Sequence, residues 1–309
     1  SEMCIRDSAL YKGKPRSRIA YLCASKRMDW EPVAWTEFDG KNIVFTDIQK
    51  GPVMRVATYE RGRLRFWTDP FEINVSNEFH FFTPSDSVQD VTLFAKYTLR
   101  ADEMFLNRMI GGTFEGSNDP DFREKEVLYL INEKPKRLQT VVQSYSSKSY
   151  RYVRYIGPKD SHCNIAEAAF YTPNDTASLK GKVIGTPGCF QKDGSHEYTN
   201  VFDGDVTTSF DYIEPSGGWS GLDLGTPKQI GRIVYTPRSY DNYIRSGDDY
   251  ELFYCARRNN WKSLGDQRSK ADSLIYIKIP VNALLLLCNN TRGIQERIFV
   301  YTAAEQIWK

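Results

Sequence analysis

The sequence predicts an all-β protein built from tandem antiparallel β-sandwiches. Three observations carry this expectation. Apolar and polar residues alternate with period two through most segments, as in Val53-Met54-Arg55-Val56-Ala57-Thr58-Tyr59, the signature of half-buried strands. Within residues 9–74 no stretch carries the 3.6-residue apolar period of an amphipathic helix. Tyr and Phe are abundant, at 19 and 17 residues, and aromatics favour strands. A length of 309 residues suggests two or three domains at ordinary domain sizes.

Residues 9–75 read as strands throughout. Arg18 to Cys23 is one strand, and Glu31 to Phe38 is the next. Asp39-Gly40 is a hairpin signal, and Asn42 to Thr46 returns. Gly51-Pro52 breaks the chain. Val53 to Tyr59 and Leu64 to Trp67 then form a hairpin across Arg61-Gly62. This segment is expected to be a small sandwich, immunoglobulin-like in the loose sense. Trp35 and Trp67 are assigned to core or hairpin packing.

Residues 77–172 and 177–309 share an internal pattern. Val88 to Leu93 matches Ile230 to Tyr235, and Arg108 to Ser117 matches Arg245 to Tyr254. Tyr152 to Tyr155 leading to Ala166 to Tyr171 matches Leu284 to Leu287 leading to Glu296 to Tyr301. Pro173-Asn174-Asp175-Thr176 is a polar break and the expected linker. Ala283 to Leu287 does not alternate, so a fully buried strand is expected there.

Composition excludes several function classes. Lys and Arg number 41 against 39 Asp and Glu, a net charge of +2, so no basic face argues for nucleic acid. No apolar run approaches the roughly 18 residues of a membrane span. The six cysteines contain no C-x-x-C pair, which leaves a zinc or redox site without support. They are expected to be free, buried thiols. Ser1 to Ser8 has no apolar segment of a signal peptide. It reads as a leader foreign to the domain pattern, with any export signal expected upstream.

One stretch is rich in chemistry. Val201-Phe202-Asp203-Gly204-Asp205-Val206-Thr207-Thr208 puts two carboxylates, a glycine and two hydroxyls into one tight turn. Oxygens converging in this way suit Ca²⁺. Trp219-Ser220-Gly221-Leu222-Asp223-Leu224-Gly225 follows as an alternating strand. The pairing of D-G-D-x-x-T with W-x-G-L-D-L-G resembles the discoidin family, the coagulation factor 5/8 type C or galactose-binding-like domains. The resemblance covers residues 177–309 as a whole jelly-roll sandwich. Residues 77–172 resemble only its second half, through Phe114 to Asp119 and the ending Y-R-Y-V-R-Y…N-I-A-E…F-Y. They are expected to be a degenerate copy.

The resemblance implies site residues. Asp203 and Asp205 would be carboxylate ligands of a structural Ca²⁺, with Thr208 and the main-chain carbonyl of Asn200 completing the set. The family's closing strand adds a Glu four residues before its final Tyr; Arg297 stands at that place, with Glu296 beside it. The competing reading is a metal-free turn in which Asp203 caps backbone amides. Sugar-binding relatives use an Arg and an Asn from the loop after the strand that follows L-D-L-G. Arg238 and Asn242 match them here, Tyr243 or Tyr240 offers an aromatic face, and His196 and Glu197 come from a loop that converges on the same end. Each has the alternative of a solvated loop residue or a structural ion pair.

Catalytic signals are weak. His196-Glu197 begins like H-E-x-x-H, but Asn200 stands at the second histidine. Gly218 to Gly221 fails the G-x-S-x-G spacing. No catalytic residue is assigned. The expected function is a non-catalytic carbohydrate-binding module array, monomeric, in a larger secreted bacterial protein with a transglutaminase-like or glycoside hydrolase core, and outside the cytoplasm. The alternative is a set of spacer domains bracing that core without a ligand.

Overall fold

The computed structural model describes residues 3–5, 17–37, 43–98, 100–257, 260–292 and 295–309. The chain is all-β, 48% strand and 4% helix, with several antiparallel sheets. The Asp39-Gly40 turn and most of the expected 1–8 leader lie outside the described residues. Strand Met3–Ile5 is described, and pairs with Ile43–Phe45. Among the described residues no helix is long and apolar enough to cross a membrane.

The chain divides into two compact units that do not follow the expected boundaries at 75–77 and 172–177. One unit joins residues 1–97 to 244–309, and the other is residues 98–243. The reason is backbone pairing. A strand leaves a row of N–H and C=O groups that must find a neighbour, and the neighbours come from beyond the expected linker. Ser149–Ile156 pairs with Trp219–Gln229, and Thr140–Gln143 with Arg232–Pro237. In the other unit Val88–Leu93 pairs with Leu274–Pro280. The stretch 113–171, read as half a sandwich, thus closes with 182–237. The turn at 173–176 is internal to this unit.

In the 98–243 unit one sheet runs in the order Lys125–Leu130, Thr113–Ser117, Ser149–Ile156, Trp219–Gln229, Lys182–Gly185. The second runs Thr140–Gln143, Arg232–Pro237, Ile165–Tyr171. Phe114, Tyr155, Phe170, Phe210, Leu222 and Ile233 fill the space between them. At Gly221 the backbone of the neighbouring strand comes so close that an added Cβ would overlap the Val153 carbonyl. One helix, Arg100–Asn107, precedes the first strand. The sequence gives no sign of it, because eight residues span barely two turns, too few for a periodic signal.

The other unit holds a sheet ordered Asp29–Glu37, Ile19–Lys26, Met54–Glu60, Phe71–Ile73, Phe79–Phe81. A second sheet is ordered Trp261–Arg268, Asp249–Cys255, Leu285–Asn289, Phe299–Thr302, Glu305–Trp308. The expected sandwich at 9–75 does not close on itself. Cys23, Trp30, Val53 and Ala57 share a core with Leu284, Leu286, Cys288 and Ile298. Leu285 and Leu287 face a different core, with Val91, Leu252 and Phe299. The Leu285–Asn289 strand is therefore buried on both faces, which is why its sequence does not alternate. Trp67 is buried and donates its indole N–H to the Thr58 hydroxyl at 2.9 Å. Trp35 is 66% exposed, contrary to its expected packing, because it sits on an edge strand. Cys23, Cys163, Cys189, Cys255 and Cys288 are free and buried.

Candidate functional site

The Asp203 turn is built on the 98–243 unit. A 3₁₀ turn, Tyr198–Phe202, leads into it and anchors it through buried Val201. Gly204 takes φ +83°, a conformation that glycine adopts without strain. Asp203 Oδ1 accepts the Asp205 N–H at 2.7 Å, and its Oδ2 accepts the Thr208 hydroxyl at 2.8 Å. The same hydroxyl lies 3.0 Å from the Asp205 carbonyl. Asp205 Oδ1 accepts both the N–H and the hydroxyl of Thr207, at 2.9 and 2.6 Å. Asn200 Nδ2 donates to the Ser195 and Ser209 carbonyls, and its own carbonyl accepts the Asp203 N–H at 3.4 Å.

The glutamate that reaches this turn is Glu167. It lies four residues before Tyr171 on Ile165–Tyr171, and its Oε1 accepts the Gly204 N–H at 2.9 Å. It also shares a hydrogen bond with the Asp203 carboxyl. Burial first, and the Asp203 carboxyl second, raise the Glu167 pKa to about 8. Two carboxyls in contact cannot both ionise cheaply, so one keeps a proton. Glu296, the expected neighbour, belongs to the other unit and pairs with Arg27 at 2.9 Å. Glu167 stands in N-I-A-E, within the segment expected to end the 77–172 copy. Its partner turn lies beyond the expected linker, because strands of 113–171 pair with strands of 182–237.

The second cluster lies where the Arg232–Pro237 strand ends. Arg238 Nη1 is 2.7 Å from Asp211 Oδ2, and its guanidinium lies 4.5 Å from the Phe105 ring centroid. The Asn164 amide donates to Asp211 Oδ1 at 2.6 Å, and Arg108 donates to Asn164 Oδ1 at 2.7 Å. Arg108, Asn164, Asp211 and Arg238 thus form a continuous polar chain. The backbone ties further loops to it. Asp211 donates its N–H to the His196 carbonyl at 3.0 Å, and Phe190 donates to the Asp211 carbonyl at 2.8 Å. Tyr240 donates its N–H to Asp102 Oδ1 at 3.0 Å. Phe190 and Tyr240 are 57% and 49% exposed. Sequence reasoning missed Phe190, Asp211, Asn164 and Arg108, since nothing local distinguishes them.

The remaining expected ligand residues are placed differently. Asn242 and Tyr243 are 3% and 5% exposed, so both lie inside rather than on the loop surface. Among the described residues the Asn242 amide nitrogen and the Tyr243 hydroxyl have no hydrogen-bond partner. Burial pushes the Tyr243 hydroxyl well above its ordinary pKa. The apolar flanks of the loop drive both side chains inward, a choice that residue type alone does not reveal. His196 sits beside Ser209, its Nδ1 at 3.2 Å from the hydroxyl. Glu197 accepts the Gly188 N–H at 2.9 Å and so shapes its own loop.

Among the described residues no group of three or more His, Cys, Asp or Glu side chains is arranged to hold a metal ion. The Asp203 turn instead offers a mixed oxygen set: the Asp203 and Glu167 carboxyls, the Thr208 hydroxyl and the Asp205 carbonyl. Such a set suits a hard cation that accepts hydroxyl and carbonyl ligands. Comparison with family models, with curated proteins and with solved structures finds no match.

Proposed function

We propose that residues 98–243 form a non-catalytic carbohydrate-binding module with a discoidin-like sandwich, carried by a larger secreted protein. The observation that supports this reading most is the state of Arg238. Its charge is compensated by Asp211 and its guanidinium is fixed on Phe105. An arginine held in this way offers directional donors to sugar hydroxyls at little further cost in side-chain entropy. Exposed Phe190 and Tyr240 lie on loops tied to the same cluster, and aromatic faces stack on the apolar faces of sugar rings. A rigid sandwich that displays polar loops is a common way for such folds to carry function.

The Asp203 turn fits a structural Ca²⁺ in this reading. Asp203, Glu167, Thr208 and the Asp205 carbonyl would hold it. The ion would replace the shared proton and pin the turn to the Ile165–Tyr171 strand. The spacer reading draws on the same ion pair, which by itself would only stabilise the loop. A glycan array with the full chain separates the two. Binding that falls about tenfold in Phe190→Ala or Tyr240→Ala, with melting unchanged, supports the module. Absence of binding to any glycan at millimolar concentration supports the spacer.

A further inference from the structure

We infer that the cleft beside Arg108 is an acidic-sugar subsite, which takes one carboxylate-bearing sugar residue such as a uronic acid. The inference rests on the glycan-binding reading and deepens it. The cleft encloses about 900 Å³ between the end of helix Arg100–Asn107 and the loop at 158–161. Its walls are largely apolar, with Met104 and Ile110 each 42% exposed and Pro158 opposite. That surface suits the C–H face of a sugar ring better than it suits water.

The charges in the cleft select the ligand. Arg108 spends one donor on Asn164, and among the described residues no acid pairs with it or with Lys159. Glu103 is already matched by Lys134 at 2.7 Å. Asp160, whose backbone N–H is held by the Ser216 hydroxyl, is the one acid left at the rim. Two cations against one acid leave a single positive excess, which suits a monoanion rather than a sulfate-dense polymer. A planar guanidinium meets a carboxylate through two parallel hydrogen bonds. Asn164 fixes the orientation of Arg108 and joins it to Asp211 and Arg238, so the subsite is continuous with the Asp211–Arg238 cluster.

The test uses the full chain and isothermal titration with trigalacturonate, a neutral trigalactoside and sodium acetate. Trigalacturonate is expected to bind most tightly and to weaken as salt rises. Lys159→Gln should lower its affinity about tenfold or more and leave trigalactoside binding unchanged, and Arg108→Gln should lower trigalacturonate affinity by at least as much. Arg108→Lys should restore part of the loss. Lys228→Gln, on an exposed strand end away from the cleft, should change nothing. Melting curves confirm that each variant is folded, and Lys159→Gln, at an exposed position, carries the test if Arg108→Gln is not. Equal affinity for the two trisaccharides overturns the inference and leaves the glycan reading intact. So does trigalacturonate binding indifferent to both variants, or acetate binding as tightly as the trisaccharide. Failure to bind either trisaccharide overturns both readings.

Discussion

Glu167→Gln probes the Asp203 turn most directly. The Glu167 carboxyl has an ordinary value of 4.5, raised to about 8 by burial and by Asp203. A carboxyl with a raised folded pKa keeps its proton in the native state while the unfolded chain has lost it. Stability is then fully present below about pH 4.5 and falls as pH rises towards about 8. Each pH unit in that interval is worth about 1.4 kcal/mol for an isolated buried group. Glu167 is half-buried, and solvent screening leaves about 1–2 kcal/mol over the whole interval. The substituted glutamine would be neutral at every pH. It would still accept the Gly204 N–H and would donate to Asp203. In chelator at pH 8.5 the variant should therefore melt a few degrees above the wild type, at about 2–4 °C per kcal/mol. At pH 4 the two should coincide. Saturating Ca²⁺ at pH 8.5 should raise the wild type and leave the variant largely unmoved. Differential scanning calorimetry across pH reads all three outcomes. A variant that melts below the wild type at pH 8.5 in chelator would refute the shared-proton argument.

Four further outcomes are expected. Asp203→Ala removes the acceptor of the Asp205 N–H and the Thr208 hydroxyl, and should abolish any calcium-dependent rise in melting temperature, since a ligand stabilises only the state that binds it. Asp211→Asn leaves the largely buried Arg238 guanidinium without its counter-charge and should cost about 3 kcal/mol in urea unfolding. A cost under about 0.5 kcal/mol would mean that water already solvates the pair. Phe190→Ala and Tyr240→Ala should leave circular dichroism and melting unaltered, because both rings are exposed, while glycan affinity falls about tenfold. Leu286→Ala, in a strand buried on both faces, should cost about 2–5 kcal/mol, well above the same change at exposed Ile275.

The strands were legible because period-two alternation is local. Asp249–Cys255 falls where the alternation placed it; Met54–Glu60 falls in place too, but its residues 54–58 are all buried rather than alternating. The unbroken run at Ala283 to Leu287 likewise announced burial on both faces. The Asp203 turn was legible as an oxygen-rich loop, since D-G-D-x-x-T closes on itself through Asp203 and Thr208 only five residues apart. The aromatic loop after Pro237 was legible as polar and aromatic, but not which of its side chains turn inward. Asn242 and Tyr243 are buried while Tyr240 is exposed, and no periodicity separates them.

What the sequence determined by itself was therefore the class of structure and the local oxygen cluster, because both depend on neighbours in the chain. Partnership across the chain was decided by the tertiary structure. Glu167 meets Gly204 across 37 residues, and Arg108 reaches Asn164 across 56. Strands 113–171 close with 182–237 rather than with a sandwich of their own. Backbone hydrogen bonds carry no label for the strand they join. Any strand of suitable length and apolar face satisfies an open edge, and only the packing of the whole core selects which one does.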